Sequence, residues 1–222
     1  MYLRISHTHN AQSPRFQGNP ENGIKPALAL AKGDTCNAAE VCMFNHNGTH
    51  IDLPRHYLAE GRCLVDYDLA EFIFERPGLI QVEARPGQAI SAGMLKVFEA
   101  KILGHDLLLL RTGFGSYRSS VTYTDNPYLT LDAAEFLRSL AGIGALGIDF
   151  LSVANARFRE LGDEVHRLLL RDPPDKKPIL IVEDLDLSSV IVIERLRKVF
   201  IVPLFVDGVD GMPCTVFGEY DT

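Results

Sequence analysis

The sequence predicts an α/β protein in which parallel strands are joined by helical crossovers. The first observation is an alternation of strand and helix patterns from Leu79 to Val182. The second is a pair of uninterrupted apolar runs, at 107–110 and 179–182. Such runs are typical of strands that are buried on both faces of a sheet. Together they favour a sheet with helices packed against it.

The individual elements follow from local patterns. Ser91 is a good helix N-cap, and Met94, Leu95, Phe98 and Ile102 recur at helical spacing. Strands are predicted at 38–44, 78–82, 107–112, 143–148, 179–182, 199–206 and 215–220. Helices are predicted at 92–103, from Thr130 or Asp132 to about Leu140, and from Asp163 to Leu170. Residues 1–35 are punctuated by proline and glycine, and we expect a long loop that forms a pocket wall or reaches a neighbouring subunit.

Composition limits the possible functions. At 222 residues, without a linker or an internal repeat, residues 1–222 are expected to form a single domain. The net charge of −7 argues against a nucleic acid or an anionic membrane as partner. No apolar run reaches the length of a membrane span, and the N-terminus has no signal-peptide core, so we expect a cytoplasmic protein. The four cysteines are expected to be reduced and mostly buried.

Residues 45–57 carry the strongest functional signal. His46, His50, Asp52 and His56 lie within eleven residues, and imidazole and carboxylate are the usual ligands of Zn²⁺, Mn²⁺ and Fe²⁺. A helix is disfavoured by the glycine and proline in this stretch, and a straight strand of ten residues would run roughly 33 Å. We therefore expect a strand end that breaks into a tight loop and turns these side chains inward. The alternative is a polar surface loop that happens to contain histidines.

Two residues later in the chain could complete such a site. Glu183 follows the buried apolar run at 179–182, and His166 lies on the last predicted helix. From the residues alone, a surface-turn acid and a packing histidine are the favoured interpretations. Arg111 and Thr112, at the end of another buried strand, could face a substrate or serve ordinary turn chemistry.

The segment His46-Asn-Gly-Thr-His50-Ile-Asp52-Leu-Pro-Arg-His56 resembles the signature of the metal-dependent cyclase family, which includes bacterial kynurenine formamidase and isatin hydrolase. The segments 166–170 (His-Arg-Leu-Leu-Leu) and 182–185 (Val-Glu-Asp-Leu) resemble the family's distal motif. The resemblance implies the family's swivelling β/β/α fold, with a mixed sheet and packed helices. The chain departs from the family pattern at Ala154, where related sequences often carry an acid. It also lacks tryptophan, which kynurenine formamidases tend to have in the site, and its loop at 171–178 is long.

The resemblance also implies a mechanism. His46, His50 and Asp52 would form one ligand set, which His166 and Glu183 complete, for one or two Zn²⁺ or Mn²⁺ ions per chain. Metal-bound hydroxide would then cleave the carbon–nitrogen amide bond of a small molecule, as in arylformamidase, which converts N-formylkynurenine to kynurenine and formate. His56 corresponds to a proton-transfer residue of the family.

Two alternatives to amide hydrolysis remain open. One is a hydrolase of the isatin hydrolase type, which opens a cyclic amide or imide with the same groups. The other is a non-catalytic protein that binds a metal or a small molecule, which would have no need of a non-ligand base such as His56. Members of the family commonly form oligomers, so the resemblance further predicts a homodimer or homotetramer.

Overall fold

The computed structural model describes residues 1–221. Its strands are β1 Tyr2–Arg4, β2 Gly23–Leu28, β3 Ala38–Cys42, β4 His50–Asp52, β5 Ile73–Phe74, β6 Pro77–Gln81, β7 Ala89–Ile90, β8 Leu107–Arg111, β9 Tyr128–Leu129, β10 Ala145–Ile148, β11 Leu180–Glu183, β12 Leu196–Pro203 and β13 Gly211–Tyr220. Its α-helices are α1 Ala92–Lys96, α2 Glu99–Ile102, α3 Leu131–Ser139, α4 Arg159–Leu169 and α5 Val190–Ile193. Short 3-10 turns, among them Pro54–His56, lie between these elements.

One mixed sheet organises the molecule. Its strand order is β5-β12-β13-β4-β11-β10-β8-β6, and β1 also pairs with β13. Strands β6, β8, β10 and β11 are parallel, whereas β4 is antiparallel to both of its neighbours, β11 and β13. This arrangement confirms the predicted α/β class and the mixed sheet. It also places the short strand β4, which carries His50 and Asp52, between two longer strands in the middle of the sheet.

Apolar cores cover both faces of the parallel strands. Successive side chains of a strand point to opposite faces, and buried residues from the same strands alternate between two clusters. The helical side of the sheet takes Ile80, Leu108, Leu110, Leu146, Ile148 and Ile181, which pack with residues of α3 and α4. The other side takes Leu79, Leu107, Leu109, Ala145, Leu180 and Val182, which pack with residues of β5, β12 and β13. This burial explains the continuous apolar runs in the sequence.

Two predicted helices have different limits in the structure. The single helix expected at 92–103 is divided into α1 and α2, and Phe98 between them has non-helical backbone angles. Val97 and Phe98 are β-branched and aromatic, so both have modest helix propensity. The expectation that Asp163 caps the later helix is wrong, because α4 begins at Arg159. The capping hydrogen bond is made earlier by Asn155, whose side chain accepts from the backbone N–H of Arg157 and starts a 3-10 turn that leads into α4.

The first 44 residues contribute two separate features. Strand β1 pairs with β13, while β2 and β3 form a hairpin of their own that does not join the main sheet. Apolar side chains on this hairpin are exposed, including Ile24 and Val41, which are 51% and 56% accessible. Cys36 and Cys42 are also exposed, whereas Cys63 and Cys214 are buried, so only half of the cysteines match the expected burial. In residues 1–221, no helix has both the length and the hydropathy to span a bilayer.

Candidate metal centre

The short strand β4 brings three candidate ligands together. His50 and Asp52 are two residues apart, so their side chains leave the strand on the same face. Glu183 lies directly opposite His50 in the antiparallel ladder between β11 and β4. His50 Nε2 is 3.2 Å from an Asp52 oxygen and 3.5 Å from a Glu183 oxygen. All three side chains are buried, and their donor atoms lie within 4.8 Å of one another.

Helix α4 adds a fourth donor from the other side. His166 is buried, and its Nε2 lies 3.7 Å from Asp52 and 3.6 Å from Glu183. Its Nδ1 is 2.7 Å from the carbonyl oxygen of Gly162, and the Nδ1 of His50 is 2.8 Å from the carbonyl oxygen of Gly48. A carbonyl oxygen only accepts hydrogen bonds, so both Nδ1 atoms carry the proton. Each ring is thereby held with Nε2 facing the carboxylates.

This geometry fits a bound cation. In the neutral tautomer, the Nε2 atoms of His50 and His166 would direct lone pairs at the carboxylates of Asp52 and Glu183, which is unfavourable unless a positive charge lies between them. A divalent ion supplies that charge, and an imidazole whose other nitrogen donates to a backbone carbonyl is a common arrangement for metal ligands. The donor set of imidazole nitrogen and carboxylate oxygen suits Zn²⁺ or Mn²⁺.

A second donor group shares Asp52. His46 places Nδ1 2.8 Å from Asp52 and Nε2 3.1 Å from Asp210. His56 stacks on the ring of His46 with the ring centroids 3.8 Å apart, and its Nδ1 lies 2.7 Å from the same Asp210 oxygen. The donor atoms of His46, Asp52 and His56 also lie within 4.8 Å of one another. Asp52 therefore lies between two groups, each of which could hold an ion.

Neighbouring carboxylates raise the pKa values of His46 and His50. Burial lowers the pKa of His46, but hydrogen bonds with Asp210 and Asp52 outweigh burial and raise it to about 10. The pKa of His50 is also raised, since Asp52 and Glu183 outweigh burial. Burial raises the pKa of Asp52, yet the charges of His50 and His56 bring it well below its usual value. The site thus favours positive charge, which a proton or a metal ion can provide.

Two glycines allow the close packing around these ligands. Gly48 has a φ of 66°, a conformation that glycine adopts without strain, and its carbonyl orients His50. Gly211 lies opposite Asp52 on β13, where an added Cβ would be 2.6 Å from the His46 ring and 2.5 Å from the carbonyl oxygen of Ile51. The turn at Gly48 agrees with the bend expected in the segment 45–57.

A cavity of about 330 Å³ opens onto the ligands. The N-terminal loop forms one wall through residues 16–19, and the backbone N–H of Gly48 donates to the carbonyl of Pro14, which joins this loop to the metal loop. Phe44, Tyr57 and Leu151 supply apolar surface, while Arg159 and Asp163 reach the cavity from α4. Of the two roles considered for residues 1–35, the structure shows the pocket wall.

The structure brings together all six predicted site residues, His46, His50, Asp52, His56, His166 and Glu183, around one cavity. Sequence reasoning missed Asp210, which hydrogen-bonds both His46 and His56. Its only sequence signal is a turn-rich stretch at 207–211. Arg111 and Thr112 do not line the cavity. Thr112 donates to Asp149, and Arg111 donates to the carbonyl of Leu187, so both serve local structure.

Comparison with known protein families identifies the family to which this sequence belongs. The model of the Cyclase family matches residues 3–155, which is more than half of the chain. The chain belongs to the cyclase family. The match includes the whole of the segment 45–57, and His166 and Glu183 lie beyond it. Ala154, at its end, lines the cavity at the position where the family resemblance leads one to expect an acid.

Several known proteins are similar to this chain over nearly its whole length. The kynurenine formamidase of Bacillus thuringiensis (strain Al Hakam) is 28% identical over 219 residues, which are 96% of this chain and 94% of the relative. An isatin hydrolase solved with the product analogue thioisatinate superposes with a TM-score of 0.80 at 19% identity, over 98% of this chain and 91% of its own. A structure described as a potential metal-dependent hydrolase with cyclase activity has a TM-score of 0.75 at 20% identity, over 98% and 96% of the two chains. These similarities confirm the cyclase fold.

Proposed function

We propose that the protein is a divalent-metal-dependent hydrolase that cleaves the carbon–nitrogen amide bond of a small molecule. The observation that carries the proposal is the pair of imidazoles, His50 and His166, whose Nε2 atoms face two buried carboxylates in the lining of a cavity. The similarity to a kynurenine formamidase over 96% of the chain supports amide hydrolysis of the arylformamidase type.

The metal would be held by His46, His50, Asp52, His166 and Glu183. Because Asp52 belongs to both donor groups, we propose that its carboxylate would contribute to holding one or two ions per chain. The nitrogen and oxygen donors favour Zn²⁺ or Mn²⁺. When bound, such an ion lowers the pKa of a coordinated water and polarises a carbonyl oxygen.

His56 would move the proton. Its Nδ1 lies 2.7 Å from Asp210, and since a carboxylate accepts, Nδ1 donates and Nε2 keeps its lone pair. Asp210 thus fixes both the tautomer and the orientation of the ring. Nε2 of His56 would take a proton from the attacking water and return it to the leaving nitrogen, as a general base and then a general acid. The side chain is 24% exposed, so it can reach a substrate in the cavity.

The cavity limits the substrate to a small molecule. A volume of about 330 Å³ is at the low end for ligand pockets. Phe16, Phe44 and Leu151 supply apolar surface in this cavity, against which an aromatic ring would pack. We propose an aryl amide with a small acyl group as the substrate class.

A hydrolysis panel tests the proposal. The metal-loaded protein should release product from N-formylkynurenine or formanilide, and chelator-treated protein should not. Faster turnover of isatin or a cyclic imide would move the assignment to ring opening, which uses the same groups. Metal binding without turnover of any amide in the panel would contradict the proposal of a hydrolase and would instead favour a non-catalytic binding protein.

We further propose that the working unit is a cytoplasmic homodimer or homotetramer. The hairpin β2–β3 supports an oligomer, because an isolated two-stranded hairpin is marginally stable in water and this one exposes Ile24 and Val41. Light scattering at micromolar concentration should give a multiple of the 24.6 kDa chain mass. A monomeric mass would contradict the proposal.

A further inference from the structure

One arginine in the cavity has hydrogen-bond donors to spare. Arg159 lines the same cavity as the proposed metal ligands, and within residues 1–221 its guanidinium makes one hydrogen bond, at 3.2 Å from Nη2 to the backbone carbonyl of Gln17. It makes no ion pair with a carboxylate in residues 1–221, unlike Arg62, Arg118 and Arg157. A guanidinium has five N–H donors, so most of those of Arg159 remain available to a ligand.

The position of Arg159 on α4 sets its distance from the reaction centre. Arg159, Asp163 and His166 are spaced at i, i+4 and i+7, so they share one face of the helix, and all three line the cavity. Seven residues of α-helix rise about 10 Å. Asp163 between them accepts a hydrogen bond from the hydroxyl of Tyr57, so its carboxylate already has a partner. The backbone of Arg159 is therefore separated along the helix axis from that of His166, one of the proposed metal ligands.

The surroundings of Arg159 favour an acidic ligand. Its guanidinium lies over the ring of Phe16, 5.6 Å from the centroid, which holds it against the cavity wall. It is also the first residue of α4, where the helix dipole favours negative charge. The protein as a whole carries −7, so a local cation is needed to attract an anion into a cavity that also contains carboxylates.

We infer that Arg159 binds a carboxylate of the substrate, and that the substrates are aryl amides with an acidic group on the side of the ring remote from the amide. The inference rests on the proposed hydrolase function and specifies its substrate class. Arginine and a carboxylate form a bidentate, charge-assisted pair, which also fixes the orientation of the ring. The amide is thereby directed toward His56 and the metal ligands.

Matched substrates test the inference. 4-Formamidobenzoate and 4-formamidobenzamide share the same formyl amide and differ in one charged group. Hydrogen bonds to charged groups are worth about 1.5–3 kcal/mol, so the wild-type protein should prefer the acid by about 10- to 100-fold in kcat/KM. Arg159→Gln should remove this preference, mainly through a higher KM for the acid. Arg159→Lys should retain part of the preference, because it keeps the charge and loses the bidentate geometry.

Arg157→Gln is the matched control. It removes the same charge two residues earlier, from a side chain that pairs with Asp125 and does not line the cavity. It should keep the preference for the acid. If Arg157→Gln abolishes the preference as fully as Arg159→Gln, the effect is one of general charge and the inference is wrong.

Binding measurements separate this inference from the hydrolase proposal. Calorimetry should show 4-aminobenzoate binding more tightly than 4-aminobenzamide to the wild type, and this difference should vanish in Arg159→Gln. If that result holds but neither amide is cleaved, the anion subsite stands and the hydrolase proposal fails. If both amides are cleaved with equal kcat/KM, the hydrolase stands and the subsite is refuted. Retention of the acid preference in Arg159→Gln also refutes it.

Discussion

Replacing His56 with alanine separates a proton-transfer residue from a metal ligand. The structure gives reasons for both roles. Nδ1 of His56 donates to Asp210, which leaves Nε2 free to act as a base. A metal-ligand atom of His56 also lies within 4.8 Å of those of His46 and Asp52. General acid–base help is worth about 10²–10⁴-fold in rate, or about 2.7–5.4 kcal/mol of activation free energy. We expect His56→Ala to lower kcat by a factor in this range while the metal content stays near the wild-type value.

The assay is paired on one sample. Turnover of the best amide substrate and metal per chain are measured together for the wild type, His56→Ala and His50→Ala. His50 is buried between Asp52 and Glu183, so its removal should empty the site and abolish turnover. If His56→Ala loses metal as fully as His50→Ala, His56 is a ligand and our division of roles is wrong. If it keeps full turnover, another group moves the proton.

Four further substitutions, one of them a control, test the supporting structure. Asp210→Asn should lower turnover by about 10- to 100-fold with metal retained, because loss of a hydrogen-bond partner of a site histidine typically lowers activity by that factor. An unchanged kcat would refute the orienting role of Asp210. Gly211→Ala should destabilise the protein by about 1–3 kcal/mol in urea unfolding, because the added Cβ atom would be 2.6 Å from the His46 ring. An unchanged unfolding midpoint would contradict this contact. Leu109 is 1% exposed, so Leu109→Ala should lower the free energy of unfolding by about 2–5 kcal/mol. Leu103 is 51% exposed, so Leu103→Ala should lower it much less. Equal decreases in the two variants would contradict the assigned core.

Local sequence was sufficient for most of the sheet and for the first half of the site. The runs at 107–110 and 179–182 are apolar throughout because alternate residues enter two different cores, so their strand character is visible without any tertiary information. His46, His50, Asp52 and His56 lie within eleven residues of one segment, so their clustering is visible in the sequence alone. Glu183 and His166 became favoured candidates only through the family resemblance, because from the residues alone a surface-turn acid and a packing histidine are the favoured interpretations.

The features that sequence reasoning missed depend on contacts between distant segments. Asp210 hydrogen-bonds His46 and His56 across more than 150 residues, and a turn containing aspartate and glycine gives no sign of this. The start of α4 was misplaced because Asn155 and Asp163 are both acceptable caps, and the turn at 156–158 decides between them. The single-domain organisation, the oligomeric state and the roles of the individual site residues remain predictions.

Elemental analysis tests the central claim most directly. The protein should be purified without chelator, and its metal content compared with that of Glu183→Gln, which keeps the shape of the side chain but removes a buried anionic ligand. We predict one or two Zn²⁺ or Mn²⁺ ions per wild-type chain, a reduced content in the variant, and a raised melting temperature on metal addition. A thousandfold excess over the dissociation constant stabilises by about 4 kcal/mol. A wild-type protein that contains no transition metal, and whose melting temperature does not change with added Zn²⁺ or Mn²⁺, would contradict the account.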